Sequence, residues 1–245
     1  MENKHSILIR ISLWLTALSL SSCTFIYPTI FTNPDTENIK GVESNHNDDN
    51  IVFIVYSSFR YECVQIVDKD TIDFSMELLV IPGNFNSGTT IKYKFQYNLD
   101  QLTEKQKSHF TESSEGYGYE ITSVNEDKTE VWLHPPRSLT LMDLEIAPFP
   151  TIQLNENADS VFTLELFVGP GWGKYSWTKI ESNYKTDKII ISSDSTSKTF
   201  EVQSYSKRKE EILCRAYFVY SSEKGFVSMD YKFMNGNRII FNLID

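Results

Sequence analysis

The chain has 245 residues and a formal net charge of −10, from 33 acidic and 23 basic side chains. A chain this acidic is repelled by phosphate backbones, and only the short run Lys207-Arg208-Lys209 interrupts it, which argues against nucleic-acid binding. The length allows a core hiding roughly 70% of the unfolded surface, as one large β domain or two small ones.

The N-terminus carries an address. Lys4 and Arg10 form a short positive region, followed by an apolar run from Ile11 to Leu20 led by Leu13, Trp14, Leu15 and Leu18. Counted even from Ile7, that run spans only about 21 Å as a helix, against the roughly 30 Å of a bilayer core. It reads as an export signal, not a permanent span. It ends in Leu20-Ser21-Ser22-Cys23: an aliphatic residue, two small residues and a cysteine.

Those four positions resemble the lipobox of bacterial lipoproteins. The resemblance implies that residues 1–22 are a cleaved signal peptide. It also implies that Cys23 becomes the acylated (diacylglyceryl, palmitate-bearing) first residue of the mature chain, with the membrane as partner. Two acyl chains anchor a protein stably. Thr24, in place of the aspartate that retains many such proteins at the inner membrane, favours the outer membrane of a Gram-negative cell envelope. The alternative is an ordinary signal peptide cut nearby, leaving Cys23 an unmodified thiol.

Residues 23–50 form the lipidated N-terminus and a flexible tether. They hold Pro28, Pro34, Gly41 and the polar run Asn45 to Asn50, without apolar periodicity. His46 lies in that run with no second ligand at helical or strand spacing. A single β-rich domain is expected over 51–245. Ile51–Tyr56 reads as a buried strand, followed by Glu62–Val67, Ile72–Val80 and Thr90–Asn98. The last has Ile91, Tyr93, Phe95 and Tyr97 on one face. One short helix is predicted over Asp100–Phe110, with His109 at its end. Strands resume at Tyr117–Val124, Glu130–His134, Leu139–Ile146, Thr151–Leu154, Val161–Val168 and Ile189–Ser192. A C-terminal four-strand meander then covers Thr199–Tyr205, Glu211–Tyr220, Phe226–Phe233 and Arg238–Leu243, with Asn235-Gly236 as a type I′ hairpin signal. Short strands at regular spacing with almost no helix predict an all-β fold, an antiparallel β-sandwich or a (half-)barrel.

Few residues invite chemistry. Cys63 and Cys214 either form a disulfide, worth on the order of 5 kcal/mol in the chain-entropy model, or pack as buried thiols. Gly169-Pro170-Gly171-Trp172-Gly173-Lys174 fails as a phosphate loop, because three residues separate Gly169 from Gly173 and Tyr175 follows the lysine. Its aromatics Trp172, Tyr175 and Trp177, with Trp132, are candidate sugar-stacking surfaces or ordinary sheet packing. His134, before Pro135-Pro136 and near Arg137, is the one histidine of the β region, and it reads as a hydrogen-bonding corner ahead of a catalytic base. No nucleophile elbow, zinc-ligand pair or Cys-x-x-Cys is present, so no cofactor, no metal and no catalysis are expected. The expected function is a membrane-anchored envelope lipoprotein with a non-catalytic binding or structural role. Its partner is an envelope protein, a lipid or another apolar ligand, or a glycan. In address and β content the chain is similar to uncharacterised envelope lipoproteins.

Overall fold

The computed structural model describes residues 51–85, 88–107, 117–137, 139–169, 175–194 and 196–244. The signal, Cys23, the tether with His46, and His109 lie outside the described residues. Among the described residues, twelve strands form one antiparallel sheet. They are β1 (Ser58–Val67), β2 (Asp70–Phe85), β3 (Gly88–Tyr97), β4 (Tyr117–Glu126), β5 (Glu130–Leu133), β6 (Thr151–Gln153), β7 (Val161–Val168), β8 (Thr178–Ile191), β9 (Lys198–Arg208), β10 (Glu211–Ser221), β11 (Gly225–Phe233) and β12 (Arg238–Leu243). Their spatial order is β6-β5-β4-β3-β2-β1-β12-β11-β10-β9-β8-β7. Two six-strand meanders therefore meet where β1 pairs with β12, with Tyr61 opposite Leu243 and Ile66 opposite Arg238. The predicted C-terminal meander is β9 to β12, and β7 and β8 extend it.

The sheet curls into a half-barrel and is not a two-sheet sandwich. Period-two alternation sends one face inward: Ile91, Tyr93, Phe95 and Tyr97 of β3 are buried while Lys94 and Gln96 are exposed. The curl is measurable. β4 and β10 stand six positions apart, about 29 Å in a flat sheet at about 4.8 Å per strand. Yet the Tyr220 hydroxyl of β10 reaches the Glu126 carboxyl of β4 at 3.1 Å. Between them Tyr61, Tyr93, Phe95, Phe218, Phe226, Tyr231 and Phe241 fill the inner surface and are fully buried.

Several expectations change. Ile51–Tyr56 is not a strand: the backbone bends, Tyr56 takes φ 74°, and the ladder begins at Ser58. The predicted helix is, in its described part, a 3-10 turn at Leu99–Gln101 and one α turn, α1 (Glu104–Lys107). Leu139–Ile146 is a 3-10 helix rather than a strand. Leu141, Leu144 and Ala147 recur every three residues, the repeat of a 3-10 helix, and all three are buried. β8 runs 14 residues where only Ile189–Ser192 was expected. The Asn235-Gly236 turn is a wider loop than type I′. Only Gly236 has positive φ (93°), and Phe233 bonds Asn237 across a three-residue loop.

Cys63 on β1 and Cys214 on β10 are buried free thiols, so the disulfide alternative is not formed. Register explains why. Cys63 aligns with Phe241, Met229 and Phe218 across three strands, four residues from Cys214. That offset alone is about 13 Å along the strand direction, beyond the Cα separation of about 7 Å that a disulfide spans.

Gly225 begins β11 at φ 77°, and a Cβ there would lie 3.3 Å from Val52 Cγ1 and 3.4 Å from Phe53 Cζ. Gly225→Ala is expected to cost about 1–2 kcal/mol from the left-handed backbone alone. A urea-unfolding midpoint indistinguishable from the native chain would refute that assignment.

Candidate functional site

Glu126 ends β4 at the inner surface and is fully buried. Its Oε2 accepts the backbone N–H of Ile51 (3.0 Å), Val52 (2.9 Å) and Phe53 (3.0 Å), while Oε1 accepts the Tyr220 hydroxyl at 3.1 Å. Three successive amides converging on one oxygen cannot alternate as a strand does, which is the physical reason Ile51–Phe53 leaves the sheet. Burial and the adjacent Glu126 push the Tyr220 hydroxyl well above its usual range, so it remains a donor. Phe53 packs on Phe59 at 5.1 Å and on Phe226 at 6.4 Å. The chain is thus clamped at the first of its described residues.

A second buried cluster holds His134. β5 delivers it beside β4, where its N–H donates to Ser123 O and its carbonyl accepts the hydroxyls of Tyr93 (2.8 Å) and Thr122 (3.2 Å). The ring Nδ1 lies 2.9 Å from Pro135 O and must carry the proton there, while Nε2 accepts from the Arg137 guanidinium. Arg137 also pairs with buried Glu145 of the 3-10 helix, and its backbone N–H donates to Glu120 at 2.6 Å. Burial, and secondarily the Arg137 charge, hold the His134 imidazole down at about 3. With one nitrogen donating to a carbonyl and the other occupied by Arg137, the ring is a structural corner: it ties the strap 139–150 to β5. The strap's far end is held by hydroxyls. Ser206 donates to Ile146 O (2.5 Å) and Tyr184 to Phe149 O (3.0 Å).

The predicted aromatics do not form one platform. Trp132 packs on His134 and Phe149 within the strap cluster. Tyr175 lies under Arg208, 5.4 Å from the guanidinium carbon to its ring centre. Trp177 sits beside Phe167 at 6.2 Å, and Trp172 lies outside the described residues. An open cleft of about 710 Å³ over β1–β3 carries Glu62, Asp73 and Asp100 and no basic lining residue. Among the described residues no three His, Cys, Asp or Glu side chains are placed to hold a metal ion, and no helix is long and apolar enough to cross a membrane.

The feature sequence reasoning missed is an open sheet edge. The two terminal strands differ. β6 has three residues, lies between Pro150 and a turn, and buries Thr151 and Ile152. β7 has eight residues, pairs only with β8 in the sheet order, and exposes both faces: Val161 is 69% exposed, Phe167 57% and Leu164 37%, with Trp177 at 62% alongside. Its run Val-Phe-Thr-Leu-Glu-Leu-Phe-Val was legible as a strand. Its place at the edge was not, because that depends on β1 pairing with β12.

No family model matches the chain, and no curated protein matches it. A solved structure that it resembles is a protein provisionally described as a lipoprotein, from Parabacteroides distasonis ATCC 8503. Identity is 10% and the TM-score 0.34, over 80% of this chain and 98% of that one.

Two outcomes test the clusters. Glu126→Ala orphans three amides and is expected to cost about 3 kcal/mol or more, with Tyr220→Phe costing about 1 kcal/mol. Equal denaturant midpoints for the native chain and Glu126→Ala would remove the clamp from the account. For His134 the folded value lies below the unfolded value of about 6.5. The unfolded ring therefore takes up a proton first as pH falls, and stability present above about pH 6.5 drains away toward about pH 3, by at most about 1.4 kcal/mol per pH unit. His134→Gln, which keeps an acceptor for Arg137, should flatten that part of the stability–pH curve between pH 6 and 4. An unchanged slope would show that His134 is not the titrating group.

Proposed function

We propose that the chain is an envelope lipoprotein, acylated on Cys23 and probing its surroundings as a non-catalytic interaction module through the edge of its half-barrel. The observation that carries this reading is β7, a full-length apolar edge strand with an unpaired backbone row among the described residues. Such edges add a strand from a partner, backbone bonds giving affinity and alternate side chains giving specificity. The lipid address rests on Leu20-Ser21-Ser22-Cys23, and Thr24 supports the outer membrane as destination. The clamp of Ile51–Phe53 on Glu126 supports the same reading, since it gives a tether a firm attachment to the domain. The non-catalytic part is supported by His134, which spends both ring nitrogens on holding the strap. A carrier of apolar ligands is less favoured, because the inner surface is occupied by the protein's own aromatic rings.

Two measurements in cells address the two halves. Metabolic labelling with an alkyne-tagged palmitate should mark the native chain and leave Cys23→Ser unmarked; label retained by the variant would overturn the lipid address. A photo-reactive p-benzoylphenylalanine at position 167, on the outer face of β7, should yield at least one discrete adduct that Leu164→Arg abolishes. No adduct above that of an exposed control position on β1, such as 60, would end the edge-docking reading.

A further inference from the structure

β7 lacks the devices that keep sheet edges from pairing. It contains no proline and no lysine, shows no bulge against β8, and has a single charge, Glu165, paired with Lys179 at 2.8 Å. The opposite edge, β6, is shortened to three residues. One end of the sheet is blunted and the other left able to bond.

The sequence of β7 says what fits it. In an antiparallel pair the residues directly opposite share a face, so a two-fold axis perpendicular to the sheet admits only registers that keep inner residues opposite inner ones. The inner face is Phe162, Leu164, Leu166 and Val168, as fixed by their partners Tyr184, Ser182, Ile180 and Thr178 on β8. Centring the axis on Leu164 sets Leu164 against itself, Phe162 against Leu166 and Val161 against Phe167. Every apolar side chain from Val161 to Phe167 then meets an apolar one. The lone acid, Glu165, falls opposite the hydroxyl of Thr163. Moving the axis one residue along sets Glu165 against Glu165, two like charges face to face. Moving it the other way sets Val161 against Glu165 and shortens the overlap. Charge and hydrophobic matching therefore select one register.

We infer that the partner of the β7 edge is a second copy of this chain, joined strand to strand about a two-fold axis at Leu164 into one continuous sheet. The inference rests on the proposed edge-docking function and names its occupant. Anchoring both copies to one membrane surface raises their effective concentration, so a pairing that is modest in solution is favoured there.

The register gives the test. Across the axis the two copies of residue 164 stand about 5 Å apart at Cα, within disulfide reach, while the two copies of 163, and of 165, stand roughly 8 Å apart, outside it. Single-cysteine variants Leu164→Cys, Thr163→Cys and Glu165→Cys are made in the full chain and oxidised mildly in native membranes, the native chain giving the background. Leu164→Cys should yield a species of twice the chain mass at about tenfold the level of the other two, as that distance step implies. In parallel, sedimentation of the detergent-solubilised native protein should show a concentration-dependent dimer that Leu164→Arg returns to monomer, because it sets two like charges directly opposite. Equal cross-linking at 163, 164 and 165, a dimer indifferent to Leu164→Arg, or a native monomer at every concentration would each overturn the inference. The photo-adduct at position 167 separates the two levels. An adduct of twice the chain mass supports both; a discrete adduct with a different protein leaves the edge-docking function and removes the second copy; no adduct removes both.

Discussion

The structure depends on a single buried carboxyl group more than on any pair of strands. Glu126 stands where the curled sheet brings its two halves face to face, and Tyr220 reaches it from six strands away. The other oxygen gathers three consecutive amides of Ile51–Phe53. A buried polar group is tolerable only when its hydrogen-bonding capacity is met. Here the same group meets the needs of a chain segment that has no ladder of its own. Curl, the course of Ile51–Phe53 and inner packing are thereby coupled: without the curl there is no Tyr220 donor, and without Ile51–Phe53 the rings of Phe59 and Phe226 lose their neighbour Phe53.

The strap 139–150 poses the same problem at the other side. Its carbonyls at Ile146 and Phe149 meet side chains of the sheet, and the sheet answers them with hydroxyls. Tyr184 and Ser206, on the inner faces of β8 and β9, donate to Phe149 and Ile146. At the strap's start Arg137 joins Glu145 and His134, and Asn237 holds Asp143 at 2.9 Å from the β11–β12 loop. Polar residues on an inward face are thus packing elements, matched to irregular backbone that passes over them.

This matching also decides what could be read in advance. β3 was legible because its inward residues are apolar and alternate with polar ones, and β7 and β9 to β12 because apolar, β-branched and aromatic residues recur along them. β8 was mostly illegible because Ser182 and Thr186 occupy inward positions, so its alternation carries no hydrophobic signal. Leu139–Ile146 was mistaken for a strand because a short apolar run does not announce its period, and three-residue spacing became decisive only once Leu141, Leu144 and Ala147 were seen buried together. Ile51–Phe53 looked like a strand because its true partner, Glu126, lies 73 to 75 residues away. Of the candidate site, His134 and Arg137 were visible as neighbours in sequence, but Glu145 entered only through the strap.

The pairing of β1 with β12 has a consequence in time. Every other strand pairing among the described residues joins sequence neighbours, the longest links being 98–116 and 134–150, whereas Tyr61 opposite Leu243 closes a span of more than 180 residues. Local hairpins form early and cheaply in entropy, and long closures come late. Each meander is then an assembly that waits for the other, and the seam is sewn by β12, made after the other eleven strands. A sheet whose β1 cannot be completed until β12 has emerged keeps one side of that strand open while all the strands between them are made.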